Sequence, residues 1–453
     1  MNIQAFARRR ARLLNRMAKL GGGIAIVATA PEAVRNADTH YLYRHDSNFY
    51  YLTGFTEPEA VLVLIAGRAS LESPFSAEQV RQILFCRAKN PEREIWDGFR
   101  FGPQAAAEAF GLDAAYPVDQ IDVELPKLIA DQPALFYAIG SDARFDAQLQ
   151  RWLDSVRAQT RAGVSTPAAA FDVRALLHEM RLFKDAEEID TMRRAAQISA
   201  EAHIRAMRTT RAGQYEYQVE AELLHEFRKQ GSPFPAYSPI VAGGANACVL
   251  HYVGNDQRLN DGDLLLIDAG CELESYASDI TRTFPVNGKF TGPQRDLYDL
   301  VLAAQEAAIG ATLPGNRWND PHQAAVRVLA QGMLDFKLVG GSLDGVLESG
   351  SYRQFYMHRT GHWLGLDVHD AGDYRQSETT APGAERPWRT LQPGMVLTVE
   401  PGIYVRPADG IPEQFWNIGI RIEDDVHVTA AGCEILSEGA PKHADEIEAL
   451  MRG

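Results

Sequence analysis

Acids stand in this chain where a strand ought to disappear into a core. LLLIDAG sets Asp268 behind four apolar residues, and VLTVEPG carries Glu400 in the same way. Asp279 in SYASDITRTF, Glu423 in GIRIEDD and His362 in HRTGHWLGLDVHD also sit at or near the ends of strand-like runs. Ionised carboxylates are rarely tolerated at such positions unless something cationic meets them. Four carboxylates carry a charge of about −4, and two divalent cations return about +4, so a single ion leaves the cluster about two charges short. The expected fold brings these distant strand ends together around a pair of metal ions.

The pattern occurs twice. Gly262 precedes Asp268 by six residues, and Gly394 precedes Glu400 by six; Gly270 and Gly402 follow the two acids. Each copy follows two helical stretches. For the first these are DAEEIDTMRRAAQISAEAHIRAMRTT, with acids in its opening turn and Gly213 beyond its end, and YEYQVEAELLHEFRKQ. For the second they are LYDLVLAAQEAAIGATL and PHQAAVRVLAQGMLDF. Each copy ends with a further acid-bearing strand, Asp279 in one and Glu423 in the other. The spacing predicts a duplicated α/β unit whose halves face each other across a central cleft. PIVAGG and ACVLHYV read as additional strands. VAGGANA is a loop and no phosphate cradle, because no GK[ST] follows it.

Residues 1 to about 170 have a different texture. GIAIVATA, AVLVLIAG, QILFCRA and ALFYAIG are apolar runs of strand length punctuated by Gly and Pro, which predicts a mixed α/β domain. MNIQAFARRRARLLNRMAKL reads as an amphipathic helix with Phe6, Leu13, Leu14 and Met17 on one side and RRRAR on a solvated face. Its basic, acid-free composition also fits a transit peptide, but it lacks the apolar core and cleavage site of a secretory signal. RAGVSTPAAAFDV, 161–173, has linker composition, so the expected domains are 1–174 and 175–453. Two domains suit the 453 residues. The net charge of −15 argues against a nucleic-acid partner. No apolar run approaches the ~18 residues of a membrane span. Cys86, Cys248, Cys271 and Cys433 lie far apart without a CxxC pair, which suits reduced thiols and a cytoplasmic setting.

Carboxylates with a single imidazole and no thiolate favour Mn²⁺, with Co²⁺, Fe²⁺ or Zn²⁺ as alternatives. Two ions about 3.5–4 Å apart turn water into a nucleophile near neutral pH, and the chemistry that follows is hydrolysis of an amide or ester.

The ordered set LLLIDAG, SDITRTF, MHRTGHWLGLDVHD, LTVEPGIY and GIRIEDD resembles the dinuclear metallopeptidases of pita-bread fold, and within them the Xaa-Pro aminopeptidases (the aminopeptidase P family). RNADTHYLYRHDSNFYYLTGFTEPEAVLVL and EIWDGFRFGP extend the resemblance over nearly the whole chain. It implies an α/β (α+β) protein: a mixed α/β creatinase-like N-terminal domain and a C-terminal pita-bread catalytic domain with an internal pseudo-two-fold repeat. The N-terminal domain is then expected to narrow access to the cleft and support a homo-oligomer, dimer or tetramer. The implied substrates are peptides with proline at the second position. An Xaa-Pro bond is a tertiary amide without an N–H, so ordinary peptidases that read that group fail on it.

The resemblance also implies roles. Asp268 binds one metal, Asp279 and Glu423 bridge both, and His362 and Glu400 complete the other shell. Glu400 is the proton shuttle toward the leaving nitrogen. His251 and His369 contact substrate near the scissile carbonyl, and His358 lines the same pocket. Arg421 orients metal carboxylates or holds a substrate carboxylate, and Tyr404 offers a pocket hydrogen bond. Trp96 packs a core or lies at a subunit contact. The polar stretch 375–390 reads as an insertion, either a lid or a tolerated surface loop. Prolidase, cutting only Xaa-Pro dipeptides, is the near alternative. A non-catalytic pita-bread binding protein or a creatinase-like amidinohydrolase would depart at the metal-ligand positions. Methionine aminopeptidases lack so large an N-terminal domain.

Overall fold

The computed structural model describes residues 2–67, 80–376 and 385–452; the 377–384 part of the expected insertion lies outside them. The chain divides into two compact units, Met1–Met180 and Arg181–Gly453.

The first unit is built on a six-stranded sheet. Its strands run, across the sheet, Ala114–Pro117, Arg81–Cys86, Val61–Ala66, Gly23–Ala28, Ala134–Tyr137 and Ala169–Asp172. All pairings are parallel except those of Val61–Ala66, which runs antiparallel to both neighbours. Val61–Ala66 is buried along its whole length, as its unbroken apolar sequence requires for a central strand. Helices Ile121–Ile129 and Ala143–Arg157 seal the core with Leu125, Ile129, Trp152 and Val156. The stretch expected as a linker is partly sheet. Ala169–Asp172 is the edge strand beside Ala134–Tyr137, and helix Val173–Arg181 follows without a break. The units therefore divide after Met180, where linker composition put the boundary at 174/175.

Helix Ile3–Lys19 buries Phe6, Leu13, Leu14 and Met17 as its periodicity predicts. Its arginines depart from the expected solvated face: Arg9 and Arg10 are buried. The Arg10 guanidinium donates to the carbonyls of Leu52, Phe110 and Gly111 at 2.9–3.0 Å and to Gln82 Oε1 at 2.6 Å. Leu52 lies in the last turn of Ser47–Thr53, Phe110 ends Gly102–Phe110, and Gly111 caps the latter. One fork of N–H groups thus satisfies carbonyls that helix termini leave unpaired. Trp96 is 83% exposed beside exposed Ile95 and Phe99, which excludes a core role for it.

The second unit repeats one pattern. In the first half, helices Ala186–Thr209 and Glu216–Lys229 precede a three-stranded sheet of Ile240–Gly243, Leu264–Asp268 and Thr281–Pro285. In the second, helices Gly292–Ala311 and Asp320–Asp335 precede Val396–Val399, Asp424–Val428 and Cys433–Ile435. Each half contains an antiparallel pair whose first strand leads out through one acid and whose second is entered past another. Asp268 pairs with Thr281 in one half, and Val399 pairs with Asp424 in the other. One apolar cluster, including Phe227, Leu265, Leu297, Leu329, Val399 and Ile420, joins both halves. All four cysteines are free. Among the described residues, no helix is long and apolar enough to cross a membrane.

Candidate metal centre

Each acid reaches the centre from the end of a strand or just beyond it. Asp268 is the last residue of Leu264–Asp268. Asp279 lies in the link between Tyr276–Ala277 and Thr281–Pro285, Glu400 follows Val396–Val399, and Glu423 sits between Ile418–Arg421 and Asp424–Val428. The strands are anchored by apolar side chains, so the acids at their ends are held where a flexible loop would not hold them. His362 was expected near a strand end and lies instead in irregular chain. That chain is tied to the second half by the Trp363–Leu397 bridge and by Thr398 N–H donating to the His362 carbonyl at 2.9 Å.

Asp279, His362 and Glu423 each offer a ligand atom, all within 4.8 Å of one another. His362 Nε2 stands 3.3 Å from Asp279 Oδ2 and 3.8 Å from Glu400 Oε1. Its Nδ1–H donates to the Trp363 carbonyl at 2.9 Å, which directs Nε2 toward the acids. The Tyr237 hydroxyl lies 2.6 Å from Asp268 Oδ1 and 2.5 Å from Asp279 Oδ1. One hydroxyl has one proton, so it donates to only one of these carboxylates at a time. The Arg421 guanidinium donates to Asp268 Oδ2 at 2.5 Å.

This crowd is short of positive charge. Burial pushes the Asp279 carboxyl up, and the Asp268 charge adds to the push. Glu400 is raised to about 7, chiefly by burial, and Glu423 well above the carboxylate range by burial and by Asp279, Glu400 and Asp268. His362 goes the other way for an imidazole: burial works against its charge, yet its bond to Asp279 and the Asp279 and Glu400 charges raise it to about 9. Three oxygen acids that cannot all ionise comfortably, with an imidazole aimed among them, form a donor set that suits divalent cations.

The surrounding residues hold this geometry. Thr281 Oγ1 donates to Glu423 Oε2 at 2.6 Å and accepts from Arg421 Nε at 3.1 Å. Arg421 Nη1 donates to the Tyr404 hydroxyl at 3.0 Å, and that hydroxyl donates to His358 Nε2 at 2.8 Å, because His358 Nδ1–H is turned to the Arg359 carbonyl. Tyr404 is buried, and its hydroxyl is committed to these two protein partners. His358 Nδ1 lies 3.8 Å from Glu400 Oε2, and burial lowers the ring to about 4, so it is neutral.

His369 is exposed and stacks edge-on to His362, 4.2 Å between ring centroids. Burial of part of the ring and the neighbouring His362 and His251 lower its proton affinity. Its loop is pinned by buried Arg181, Lys184 and Asp370, with Arg181 donating to Asp370 at 2.5 Å and to the exposed Asp367 at 2.6 Å, and Lys184 to Asp370 at 2.9 Å. His251 is exposed too, but ACVLHYV is no strand. A short 3-10 turn, Gly244–Cys248, leads into irregular chain there, because Gly244, at φ 54°, turns the backbone out of the strand that ends at Gly243. Sequence reasoning missed Tyr237, Thr281 and Asp425. Thr281 and Asp425 lie inside motifs that were read only for their metal ligands; Tyr237, in FPAYSP, carries no local signal.

Comparison with known proteins follows the same lines. Residues 190–430 match the model of metallopeptidase family M24, and residues 6–137 match that of the aminopeptidase P N-terminal domain. The Xaa-Pro aminopeptidase of Escherichia coli K12 is 44% identical over 448 residues, covering 99% of this chain and 97% of that protein. The solved structure of the Pseudomonas aeruginosa aminopeptidase PepP is 48% identical, with a TM-score of 0.93 over 100% of this chain and 98% of that one. A zinc-substituted E. coli aminopeptidase P in complex with product is 43% identical, with a TM-score of 0.93 over 100% of this chain and 98% of its own.

Proposed function

The chain belongs to metallopeptidase family M24, and from that membership and its likeness to Xaa-Pro aminopeptidases along nearly the whole length we propose that it removes the N-terminal residue from peptides with proline second. The observation that carries the reading is the meeting of Asp268, Asp279, Glu400, Glu423 and His362 from both halves of the second unit at one under-compensated centre.

Two divalent ions, Mn²⁺ by the donor set with Co²⁺, Fe²⁺ or Zn²⁺ as substitutes, would polarise the scissile carbonyl and lower the proton affinity of water. Asp268 would hold one ion, His362 and Glu400 the other, with Asp279 and Glu423 shared. Glu400 takes the proton from the attacking water and passes it to the proline nitrogen, which has no hydrogen of its own and cannot leave without one. His369 and His251 orient the carbonyl oxygen. His358 lines the pocket, and Tyr404 acts through it. Arg421 orients Asp268. Its three nitrogens already donate to Thr281, Tyr404 and Asp268, which favours an aminopeptidase over a prolidase that needs a free cation for a dipeptide carboxylate. The proposal extends to a cytoplasmic homo-oligomer, and to an N-terminal unit that limits peptide size.

The decisive assay compares an Xaa-Pro-Xaa tripeptide with the matching Xaa-Pro dipeptide in Mn²⁺. Preference for the tripeptide is expected. Strong preference for the dipeptide assigns the chain to prolidase chemistry instead.

A further inference from the structure

GIRIEDD holds three consecutive acids, and the metal centre accounts for only Glu423. Successive residues entering a strand project to opposite sides. Asp424 therefore points away from Glu423, toward buried Arg282 and half-buried Lys442. Asp425 returns to the side of Glu423, 1% exposed.

There it meets the main chain of another ligand. Both Asp425 carboxylate oxygens lie 3.2 Å from the Asp279 nitrogen, whose N–H they accept, across 146 residues of sequence. Asp279 lies between two strands and outside the pairing of either, so its buried N–H needs an acceptor from elsewhere. Asp425 is itself fixed. Its N–H donates to Ser437 Oγ at 3.0 Å, its carbonyl accepts from Leu436 N–H at 2.8 Å, and it pairs with Thr398. Ser437 Oγ in turn donates to Asp424 Oδ1 at 2.8 Å.

We propose that Asp425 is a positioning residue for the metal pair: by holding the Asp279 main-chain N–H it sets where the Asp279 carboxylate stands between the two ions. The proposal rests on the two-ion reading above. A shared carboxylate must satisfy two ions at once, and a displacement of about 0.5 Å at its backbone spoils one contact or the other. The first half of the unit supplies the ligand and the second half supplies its anchor, so the bond also registers the two halves at the centre. A residue that merely closed a loop would affect stability and leave ion affinity alone.

The test is calorimetric titration of the metal-free full-length chain with Mn²⁺. Asp425→Ala is expected to weaken binding of the ion pair by about 10–100-fold, the usual scale for a partner that orients a ligand. Asp425→Asn, which keeps one carbonyl oxygen within reach of the Asp279 N–H, is expected to bind close to the parent. Parent-like binding by Asp425→Ala overturns the proposal, as does equal loss in both variants, which would make the charge rather than the main-chain bond the operative feature. Absence of stoichiometric Mn²⁺ in the parent defeats the two-ion reading itself and is distinguishable from both. Should Asp425→Ala fail to fold, hydrogen exchange at the Asp279 amide of the metal-free parent decides: strong protection is expected, and free exchange overturns the proposal.

Discussion

Glu423 and Asp424 are adjacent in the chain and opposite in circumstance. Both are buried. Asp424 accepts from Arg282 at 2.7 Å, Lys442 at 2.8 Å and Gln305 at 2.6 Å, and these partners hold its carboxyl down to about 2 against the cost of burial. Glu423 has Thr281 for a donor and Asp279, Glu400 and Asp268 for neighbours, and its carboxyl is driven far up. The protein thus compensates one face of a strand from within and leaves the other to be completed from outside. A buried acid with internal cations is part of the fold; a buried acid among acids is a request for a ligand.

That contrast breaks most directly by exchanging the two positions in experiment. Glu423→Ala and Asp279→Ala are expected to lower turnover by on the order of 10³ or more and to halve the bound metal measured by elemental analysis. Full turnover in either variant contradicts the shared-ligand assignment. Exhaustive chelation should silence the parent enzyme and Mn²⁺ should restore it; activity that survives chelation removes metal from the mechanism altogether. Asp424→Asn should behave differently. It is expected to cost about 3–5 kcal/mol in denaturant unfolding, because Arg282 and Lys442 lose their buried counter-charge, while the folded fraction still binds two ions.

His369→Ala sharpens the comparison at the rim of the site. Metal content should be unchanged, with kcat/KM lower by about 10²-fold. Restored turnover at saturating substrate would make the residue a binder only.

The pH dependence of the metal-free protein reads the uncompensated face. His362, raised from 6.5 to about 9, and Glu400, raised from 4.5 to about 7, both hold protons more tightly when folded. Stability from such groups is present at low pH and is lost as pH rises through the folded value. His358, lowered from 6.5 to about 4, has the opposite sign but acts only below 6.5. Between pH 6.5 and 9 the Tm of metal-free protein should therefore fall, and Mn²⁺ should raise Tm more at pH 8 than at pH 6.5. A metal-free Tm that climbs over that range contradicts the assignment. The smallest effect expected is that of Tyr237→Phe: a loss of about 0.5–1.5 kcal/mol of stability measured on the metal-free protein, and, in a separate titration with Mn²⁺, binding of two ions as in the parent.

Much of this was legible in the chain because strand-end acids and glycine turns are local signals. The duplicated pattern from Gly262 and Gly394 corresponds to two antiparallel pairs with acids at matching places, and the first helix buries the side its periodicity names. What failed did so through partners distant in sequence. Arg10 read as part of a solvated face because the carbonyls of Leu52, Phe110 and Gly111 cannot be seen from residues 8–12. ACVLHYV has strand composition, but the turn at Gly244 takes it out of the sheet. Tyr237 gave no sign, since a tyrosine in a loop acquires meaning only from the two aspartates it meets.

The sequence by itself determined which residues carry the charge and that the charge had to be answered: hydrophobic runs commit strands to a core, and acids at their ends go with them. Tertiary structure alone decided which acids are answered internally and which are not. That division depends on Arg282, Lys442, Arg421 and Tyr237 arriving from remote positions at distances below about 3 Å, where electrostatic interactions are strong enough to change a protonation state and sequence separation has no bearing.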